Sequence, residues 1–281
     1  MAEPVVIEAT DDVVDWGLHV IGVEAAWRET RGEGVRVAVL DTGWPQHPDL
    51  PNVVARACFT GDGDGHDDVG HGTHTAGIIG AIDNGIGVIG VAPGCELLCG
   101  QVLPMTTPAQ LAGGIDWAVE HGSHIINMSL GSPIDYVEVR MAVKRAYDAG
   151  VVLVAAAGNT YLDGVDTIAY PARYPEVLAV GAVDTNLHKA SFSAAGPELA
   201  NSVAMPGVSM LSCWLNGGYA RMSGTSCAAP MLSGLIALII AHAKADRSSV
   251  HEIVQNTLHA IARKEDDFNF TGWGIPDASK L

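Results

Sequence analysis

Basic side chains are scarce in this chain of 281 residues, which carries 15 Lys and Arg against 32 Asp and Glu. The formal net charge is -17 when histidine is neutral. A field of this sign repels the phosphates of nucleic acids and the surface of anionic membranes. We therefore expect no nucleic acid and no membrane among the partners of this protein. Hydrophobic residues make up 48% of the sequence, which is enough to build a sizeable buried core.

A targeting signal is missing from the first fifteen residues, which carry acidic side chains and no basic stretch. The longest apolar run, over residues 235–243, is too short to cross a bilayer. Linkers, internal repeats and low-complexity segments are also missing from the sequence. We therefore predict an N-terminal extension over residues 1–15 and a single folded domain over residues 16–281.

Cysteine is limited to five scattered residues, and this odd number leaves at least one thiol without an intramolecular partner. Such a set is more typical of a reducing compartment than of a disulfide framework, so we expect a cytoplasmic protein. No second Cys or His pair lies at zinc spacing from Cys95 and Cys99, which we interpret as small buried hydrophobic residues. The other three cysteines are Cys58, Cys213 and Cys227.

Short apolar runs rich in valine alternate with helical patterns along most of the chain. The alternation predicts an α/β fold with a mostly parallel central sheet flanked by helices. A turn-rich stretch over residues 192–219 predicts hairpins. The predicted strands cover residues 35–40, 97–103, 125–130, 151–156 and 177–183, and the predicted helices cover 74–82, 110–121, 136–149, 226–244 and 249–262.

Three short segments carry residues suited to catalysis, and the first is the Asp-Thr-Gly of residues 41–43. It directly follows the first predicted strand, so the carboxylate of Asp41 lies at the sheet edge where α/β active sites form. Alone, this segment is weak evidence, because Asp-Thr-Gly also occurs in aspartic peptidases and in ordinary turns.

The second segment is HGTHTAG at residues 71–77, whose small residues allow a helix to start close against the sheet. His71 and His74 could form a metal pair, since they are three residues apart. A helical zinc peptidase motif, however, requires a spacing of four and an intervening Glu, and neither is present. We therefore interpret His71 as a general base and His74 as a packed or supporting histidine.

The third segment is GTSCAAP at residues 224–230, which begins a strongly apolar helix. A serine is a poor nucleophile until a base takes its proton, and a helix N-terminus favours developing negative charge. A lone Gly-Thr-Ser would more often be a helix N-cap. The order Asp, His, Ser across the three segments instead predicts a serine peptidase in which Ser226 is the nucleophile, His71 the base and Asp41 the group that orients the base.

With these segments the chain resembles the subtilisins, or subtilases, over about residues 16–278. The resemblance implies a three-layer α/β sandwich and a serine endopeptidase that acts through an acyl-enzyme. It also implies that Asn159 is the side-chain oxyanion donor, beside the backbone N–H of Ser226. The matching blocks are VAVLDTG at 37–43, HPDL at 47–50, GHGTHTAG at 70–77, IGVIGVAP at 86–93, MSLG at 128–131, AAAGN at 155–159, YPARYPEVLAVGAV at 170–183 and SGTSCAAP at 223–230.

The resemblance further implies which residues bind the substrate. Residues 129–131 match a segment that pairs with the substrate backbone, residues 155–158 match a wall of the S1 pocket, and Ala169 matches its floor. A small floor residue and the lack of an acid at these positions predict broad specificity with a large apolar P1 side chain. The shorter, proline-bearing segment over residues 104–109 predicts a more open S2–S4 cleft. The implied substrate-binding residues are Ser129, Leu130, Gly131, Ala155, Gly158 and Ala169.

A structural calcium ion is the cofactor that the resemblance implies. Mixed oxygen ligands of this type suit calcium, and the carboxylate of Asp12 stands where many relatives have Gln. The implied ligands are the carbonyls of Ile82, Ile86 and Val88, the side chain of Asn84, and the carboxylates of Asp49 and Asp12. A second acidic segment, over residues 62–68, lacks the closing Glu of an EF-hand loop, and we interpret it as a solvated loop.

The acidic, cysteine-containing chain is closest in character to intracellular subtilisins, although residues 1–15 lack the aliphatic-Pro-Tyr motif of their inhibitory extension. The alternative to a cytoplasmic protein is a secreted one whose signal and propeptide have been removed. Protein or peptide substrates are expected in either case. The alternatives in function are a catalytically silent fold used for binding and a specialised processing protease or peptide ligase.

Overall fold

The computed structural model describes residues 12–61, 63–104, 106–159, 168–263 and 271–281, together with the backbone of residues 5–7. Residues 1–4 and 8–11 of the predicted extension lie outside the described residues, as do Asp62 of the acidic segment and Met105 of the cleft segment. All residues predicted to form the active site, the S1 pocket and the calcium site fall inside the described ranges.

Parallel strands build the central sheet, as the alternating sequence pattern predicts. In the described chain this sheet has seven strands in the spatial order β3-β4-β2-β5-β6-β7-β8, and every neighbouring pair is parallel. The strands in chain order are β1 (Val5–Ile7), β2 (Arg36–Asp41), β3 (Val53–Cys58), β4 (Glu96–Gln101), β5 (Ile125–Met128), β6 (Val152–Ala156), β7 (Val177–Val183), β8 (Val203–Pro206), β9 (Met210–Cys213), β10 (Tyr219–Met222), β11 (Ala262–Arg263) and β12 (Ile275–Pro276).

Helices cover both faces of the sheet, which confirms the predicted α/β fold. One face carries α4 and α5 over one hydrophobic cluster, and the other carries α3 and α6 over a second, larger cluster. Because both faces are covered, the five residues of β2 after Arg36 are all buried. The helices are α1 (Trp16–Val20), α2 (Val23–Ala26), α3 (His71–Gly80), α4 (Pro108–Glu120), α5 (Val137–Asp148), α6 (Thr225–Ala243) and α7 (Val250–Ile261).

The helix α6 is the central element of the larger cluster. It is 19 residues long and, by length and composition alone, apolar enough to cross a membrane. However, 78% of its most apolar 18-residue window is buried inside the protein, which is the burial expected of a core helix. Its apolar character therefore serves packing against the sheet.

The structure departs most from the predicted elements in two places. The helix predicted over residues 74–82 begins three residues earlier, at His71, because the carboxylate of Asp67 accepts hydrogen bonds from the first N–H groups of the helix. Among the predicted hairpins, β9 and β10 do pair in antiparallel fashion, but β8 joins the edge of the central sheet instead, parallel to β7.

The N-terminal residues that the structure describes are attached to the body of the protein. The strand β1 pairs with β10 in antiparallel fashion. Val13 pairs with Val88, and Asp15 is buried and forms an ion pair with Arg221 at 3.0 Å. Residues 12–15 therefore belong to the packed structure, and the division after Asp15 stays a prediction from the sequence.

Candidate active site

Residues predicted to catalyse the reaction or to bind the substrate lie at the carboxyl ends of three neighbouring strands. Asp41 is the last residue of β2, Ser129 follows β5, and Asn159 follows β6. The chain runs to one side of β2 to form β3 and β4 and then to the other side to form β5, so this edge is a switch point of the sheet. A cavity of about 330 Å³ opens there and is lined by His71, Ser226 and Asn159 among others.

Asp41 and His71 form a buried hydrogen-bonded pair. The Nδ1–H of His71 donates to Oδ1 of Asp41 at 2.7 Å, because a carboxylate oxygen can only accept. The same Oδ1 accepts the backbone N–H of Thr42 at 2.7 Å, and Thr75 donates to Oδ2 at 3.4 Å. These contacts fix the tautomer of His71, so its Nε2 carries the lone pair of a base.

The charge around His71 favours the protonated ring. Burial alone would lower the pKa of His71, but the carboxylate of Asp41, with a contribution from Asp67, outweighs burial and raises this pKa. An imidazolium formed during proton transfer is therefore stabilised in place. The activity of a base of this kind rises as the pH passes upward through the pKa of the ring.

Ser226 lies in the first turn of α6, where the leading N–H groups have no partner within the helix. Pro230, four residues later, has no N–H to donate to the carbonyl of Ser226. The hydroxyl of Ser129 takes its place and donates to this carbonyl at 2.9 Å. Ser129 in turn accepts from Asn127 at 3.0 Å, so the backbone of Ser226, the predicted nucleophile, is tied to β5.

The side chain of Asn159 is held by its carbonyl oxygen. Its Oδ1 accepts the backbone N–H of Thr225 at 3.0 Å and the hydroxyl of Thr225 at 3.1 Å. The hydrogen-bond network therefore assigns the amide orientation, and no described residue accepts from the NH₂ group, which can donate toward the cavity. This orientation is compatible with the predicted role of Asn159 as a side-chain oxyanion donor beside the N–H of Ser226.

Contact between His71 and Ser226, the predicted base and nucleophile, is looser than the rest of the site. In the described residues, His71 and Ser226 line the same cavity but make no hydrogen bond with each other. A catalytic contact of this kind commonly tightens only when substrate is bound. The order of the segments along the chain predicts that these two residues meet, and the structure brings them to one cavity.

His74 lies behind the site and not at it. Its Nε2–H donates to the carbonyls of Met210 at 3.0 Å and Ala220 at 3.1 Å. Burial, followed by the nearby charge of His71, lowers the pKa of His74 to about 4. A neutral, doubly hydrogen-bonded His74 therefore joins α3 to the β9–β10 hairpin, in agreement with its interpretation as a supporting residue.

Five of the six predicted substrate-binding residues line the cavity, and Ala155 does not. Its side chain packs in the cluster beneath α4 and α5, and the cavity is lined by Ala156 instead. The assignment of Ala155 is corrected on this ground, since side chains alternate between the two faces of β6. Ala169 lies between Gly131 and Gly158, so close that a Cβ atom added to these glycines would be 2.8 Å and 3.5 Å from the Cβ of Ala169.

A second, smaller cavity of about 180 Å³ continues from the first along the same face. Leu103 and residues 130–131 line both cavities, and Leu111, Ile134 and Tyr136 add apolar surface to the second. Thr106, Thr107 and Pro108 from the segment after β4 also line this second cavity, and Pro108 starts α4, which brings Leu111 to it. The more open S2–S4 cleft stays a prediction from the sequence.

The residues predicted to bind calcium converge on one loop after α3. The carboxylate of Asp49 is buried and accepts the backbone N–H of Val88 at 3.2 Å, and its other oxygen lies 3.4 Å from the amide nitrogen of Asn84. Asp12 accepts the N–H of Gly85 through Oδ2 at 2.8 Å, while its Oδ1 is buried and has no hydrogen-bond partner among the described residues. This orphaned oxygen beside a second carboxylate fits a cation with oxygen ligands.

Electrostatics at this loop point the same way. Burial, opposed by the hydrogen bond from Gly85 and assisted by the neighbouring carboxylates of Asp83 and Asp49, raises the pKa of Asp12. Clustered acids of this kind repel one another unless a cation lies between them. The Ile82 and Ile86 carbonyls, which belong to the same loop, complete the set implied by the resemblance.

A buried trio of His47, Asp49 and Cys213 lies beside the same loop. Both ring nitrogens of His47 are engaged, since Nε2–H donates to the carbonyl of Gly218 at 3.0 Å and Nδ1 accepts from the N–H of Asp49 at 3.1 Å. With no free lone pair on the imidazole, the trio supports packing around Asp49 and does not present a second metal site.

Cys227 directly follows Ser226, the predicted nucleophile, and is 2% exposed. Burial raises the pKa of its thiol to about 12, against a smaller lowering by the neighbouring Ser226. Only a thiolate is a strong sulfur nucleophile, so Cys227 is inert as an attacking group near neutral pH.

The sequence predicts no role in the site for two residues of this region. Thr225 anchors Asn159, and the only signal for this role is its position directly before Ser226. Asp67 belongs to the segment interpreted as a solvated acidic loop, yet it is 1% exposed and accepts five hydrogen bonds. For Asp67 the solvated interpretation is wrong, because its carboxylate is buried against donors of the residues that follow it, at positions 69–73, and against the hydroxyl of Thr42, which lies 25 positions earlier in the sequence.

Known proteins resemble this chain over most of its length. The sequence model of the subtilase family, Peptidase S8, matches residues 32–274. A thermostable alkaline protease of Halalkalibacterium halodurans is 46% identical over 230 residues, which are 80% of this chain and 62% of that protein. Subtilisin Savinase of Lederbergia lenta is 41% identical over 271 residues, or 94% and 97% of the two chains. Subtilisin DY of Bacillus licheniformis is 41% identical over 250 residues, or 87% and 89%.

Proposed function

The chain belongs to the subtilase family of subtilisin-like serine peptidases, and from this premise we propose that it hydrolyses peptide bonds of proteins with Ser226 as nucleophile. The observation that carries the proposal is the arrangement of Asp41, His71, Asn159 and Ser226 at one cavity. The hydrogen bonds of Asp41, His71 and Asn159 support these roles, and Ser226 lines the same cavity.

The reaction follows from these states. The Oγ of Ser226 bonds to the scissile carbonyl carbon while its proton passes to Nε2 of His71, and the carbonyl electron pair moves onto oxygen. When the tetrahedral intermediate collapses, the C–N bond breaks and the leaving amine takes the proton from His71. Water then repeats the sequence on the acyl-enzyme, which releases the acid and returns the proton to Ser226.

Negative charge on the carbonyl oxygen is met by two donors. They are the backbone N–H of Ser226 at the start of α6 and the NH₂ group of Asn159, which Thr225 holds from behind. Preorganised donors of this kind cost no reorganisation during the reaction.

Formation of an acyl-enzyme distinguishes an active serine peptidase from a catalytically silent fold used only for binding. We expect a nitrophenyl ester substrate to release a burst of nitrophenol equal to the concentration of folded enzyme. A fold used only for binding would release none. The alternative of a peptide ligase is tested in the same assay by adding an amine nucleophile, since a ligase gives mainly the amide and a hydrolase mainly the acid.

We propose a broad specificity with large apolar side chains at P1 and, in the second cavity, apolar side chains at P4. Ala169 between Gly131 and Gly158 supports the first preference, and the lining by Leu111 and Ile134 supports the second.

Substituting the pocket floor should change the P1 preference in a defined way. In Ala169→Leu the longer side chain would fill the S1 pocket, so kcat/KM for a Phe P1 peptide should fall about 10- to 100-fold. The value for an Ala P1 peptide should stay within about threefold. Ala149→Leu, at an exposed position, is the matched control. An unchanged Phe-to-Ala ratio in Ala169→Leu would place P1 elsewhere.

We propose that the loop after α3 holds a structural calcium ion through Asp49, Asn84 and Asp12 with the Ile82, Ile86 and Val88 carbonyls. Its role would be to neutralise the clustered carboxylates and to fasten residues 12–15 to the loop, away from the reacting atoms. The orphaned Oδ1 of Asp12 supports this assignment.

Removing calcium should destabilise the protein. A ligand at 100 times its Kd contributes about 2.7 kcal/mol to stability, and each kcal/mol moves Tm by about 2–4 °C in a domain of this size. Chelation should therefore lower Tm by roughly 5–10 °C. Asp12→Asn should reduce the difference in Tm between protein with and without chelator. Glu29→Gln, which replaces an exposed acid, should leave this difference unchanged. Identical melting with and without chelator would contradict the site.

We also propose a cytoplasmic location, supported by the state of the cysteines. All five lie in the described residues as free thiols, and four of them are buried. A reducing compartment preserves thiols of this kind. Fractionation of the source cells with an antibody against the chain tests the proposal, and recovery in the culture medium would overturn it.

A further inference from the structure

Asp67 is a buried carboxylate outside the predicted triad, four residues before His71. Its Oδ1 accepts the hydroxyl of Thr42 at 2.8 Å and the N–H groups of Val69 at 3.0 Å and Gly70 at 2.9 Å. Its Oδ2 accepts the N–H of Thr73 at 2.7 Å and the hydroxyl of Thr73 at 2.6 Å. Both carboxylate oxygens of Asp67 therefore accept hydrogen bonds from other residues.

These partners require Asp67 to carry its charge. All five contacts arrive as N–H or O–H donors, so a proton on either oxygen would displace one of them. Burial alone would raise the pKa of Asp67, but the hydrogen bonds from Thr73, Gly70 and Thr42 outweigh burial and lower it. A full negative charge therefore persists beside the active site across the working pH range.

The hydrogen bonds of Asp67 reach the neighbours of both Asp41 and His71. Thr42, the residue after Asp41, donates its hydroxyl to Asp67, and the same hydroxyl accepts the N–H of Gly72, the residue after His71, at 2.8 Å. Asp67 also accepts the backbone N–H groups of Gly70 and Thr73, the residues that flank His71 and Gly72 in the sequence. The carboxylate thus lies at the junction between the end of β2 and the start of α3.

Close packing leaves little freedom at this junction. A Cβ atom on Gly72 would lie 2.9 Å from the carbonyl of Gly43 and 3.1 Å from Oγ1 of Thr42. A Cβ atom on Gly43 would lie 2.8 Å from the Cα of Asp67. Only glycine lets the three backbones approach this closely, so a shift of Asp67 would be transmitted to the backbones that bear Asp41 and His71.

We propose that Asp67 is a positioning residue of the catalytic apparatus, which fixes His71 against Asp41 and supplies a second negative charge to the histidine ring. The inference rests on the proposed function of His71 as the general base. A purely structural cap would stabilise α3 without influencing the proton affinity of the ring, so the two roles can be separated by experiment.

The groups that face His71 determine what a pH profile reports. Burial disfavours the charged ring, whereas Asp41 and Asp67 favour it. The pKa of His74 is about 4 and that of Cys227 about 12, while burial raises that of Cys99, so these three groups are neutral in the working range. The groups that act on His71 are Asp41 from β2 and Asp67 from the loop before α3, and His71 in turn acts on His74 from α3 itself. Cys99 from β4 and Cys227 from α6 lie within electrostatic range of Asp41.

The test is the pH profile of kcat/KM for Asp67→Asn, normalised to active sites titrated with a fluorophosphonate. We expect kcat to fall about 10- to 100-fold, because small misplacements of a catalytic group have effects of this size, with KM within about threefold. The acid limb should move to lower pH by roughly half a unit, since the ring loses a stabilising negative charge. Asp68→Asn, which removes the same charge from a side chain that is 92% exposed, should leave both quantities unchanged.

A lower Tm with an unchanged acid limb and an unchanged kcat per active site would overturn the proposal and leave Asp67 a structural cap. If Asp67→Asn fails to fold, Thr42→Val tests the positioning role instead. This variant removes the hydroxyl that bridges Asp67 and Gly72 but keeps the carboxylate of Asp67. We then expect kcat to fall at least fivefold with the acid limb in place, and an unchanged kcat would overturn the proposal. Wild-type enzyme that took up no fluorophosphonate would instead contradict the proposed function.

Discussion

Replacing Ser226 by alanine should lower kcat by about 10⁶-fold with little change in KM, a magnitude set by subtilisin, whose triad acts as one unit. The physical reason is that the cavity holds the hydroxyl of Ser226 next to a base whose tautomer Asp41 fixes. Without this hydroxyl no acyl-enzyme can form, while the pockets that bind substrate remain. Measurements of kcat with a peptide substrate at high enzyme concentration provide the test.

Two further variants make this result specific. His71→Ala should lose about as much as Ser226→Ala, and the double variant should lose little more, because the two residues act together. Ser223→Ala, an exposed serine three residues earlier, should keep its activity. Additive losses in the double variant would indicate that Ser226 and His71 act independently, which the account does not allow.

The second large effect is expected at Asn159. In Asn159→Ala the oxyanion loses one of its two donors, so kcat should fall about 10²- to 10³-fold, or about 3 kcal/mol, again a magnitude set by subtilisin. KM should change by less than about threefold, because the donor acts on charge that develops only in the transition state. Steady-state kinetics with one peptide substrate measures both quantities.

The anchor at Thr225 calls for a second variant of Asn159. Asn159→Ala leaves the two donors of Thr225 without an acceptor, so part of its effect could come from movement of the chain. Asn159→Asp keeps an acceptor for Thr225 but replaces the NH₂ group, and it should lose at least as much activity. Asn186→Ala, at an exposed position, is the control. A rise in KM with unchanged kcat would show that Asn159 binds substrate and does not act on the oxyanion.

The sequence predicts the central sheet well because its strands are short, valine-rich and regularly separated by helical patterns. It does not predict that β8 joins this sheet, since residues 192–219 contain the turns expected of hairpins. The sequence also does not show which side of β6 faces the cavity. All five residues of β6 are buried, so no polar alternation distinguishes Ala155 from Ala156.

The candidate site is predictable where function is carried by residues in short, ordered segments, as for Asp41, His71 and Ser226. It is not predictable where function depends on contacts between distant segments. The carbonyl of Ser226 is satisfied by Ser129, 97 residues away, and Asp67 receives the hydroxyl of Thr42 across 25 residues. The acidic sequence of residues 62–68 is equally compatible with a solvated surface loop. Only the donors that converge on Asp67 in the structure reveal a buried carboxylate.

The central claim, that Ser226 and not the adjacent Cys227 is the nucleophile, is tested most directly by fluorophosphonate labelling followed by peptide mapping. The account predicts one adduct per chain on Ser226, with loss of fluoride and of peptidase activity. The adduct should be absent from Ser226→Ala and retained in Cys227→Ala, whose thiol has a pKa of about 12 in the wild type. An adduct on Cys227, or an active Ser226→Ala beside an inactive Cys227→Ala, would contradict it.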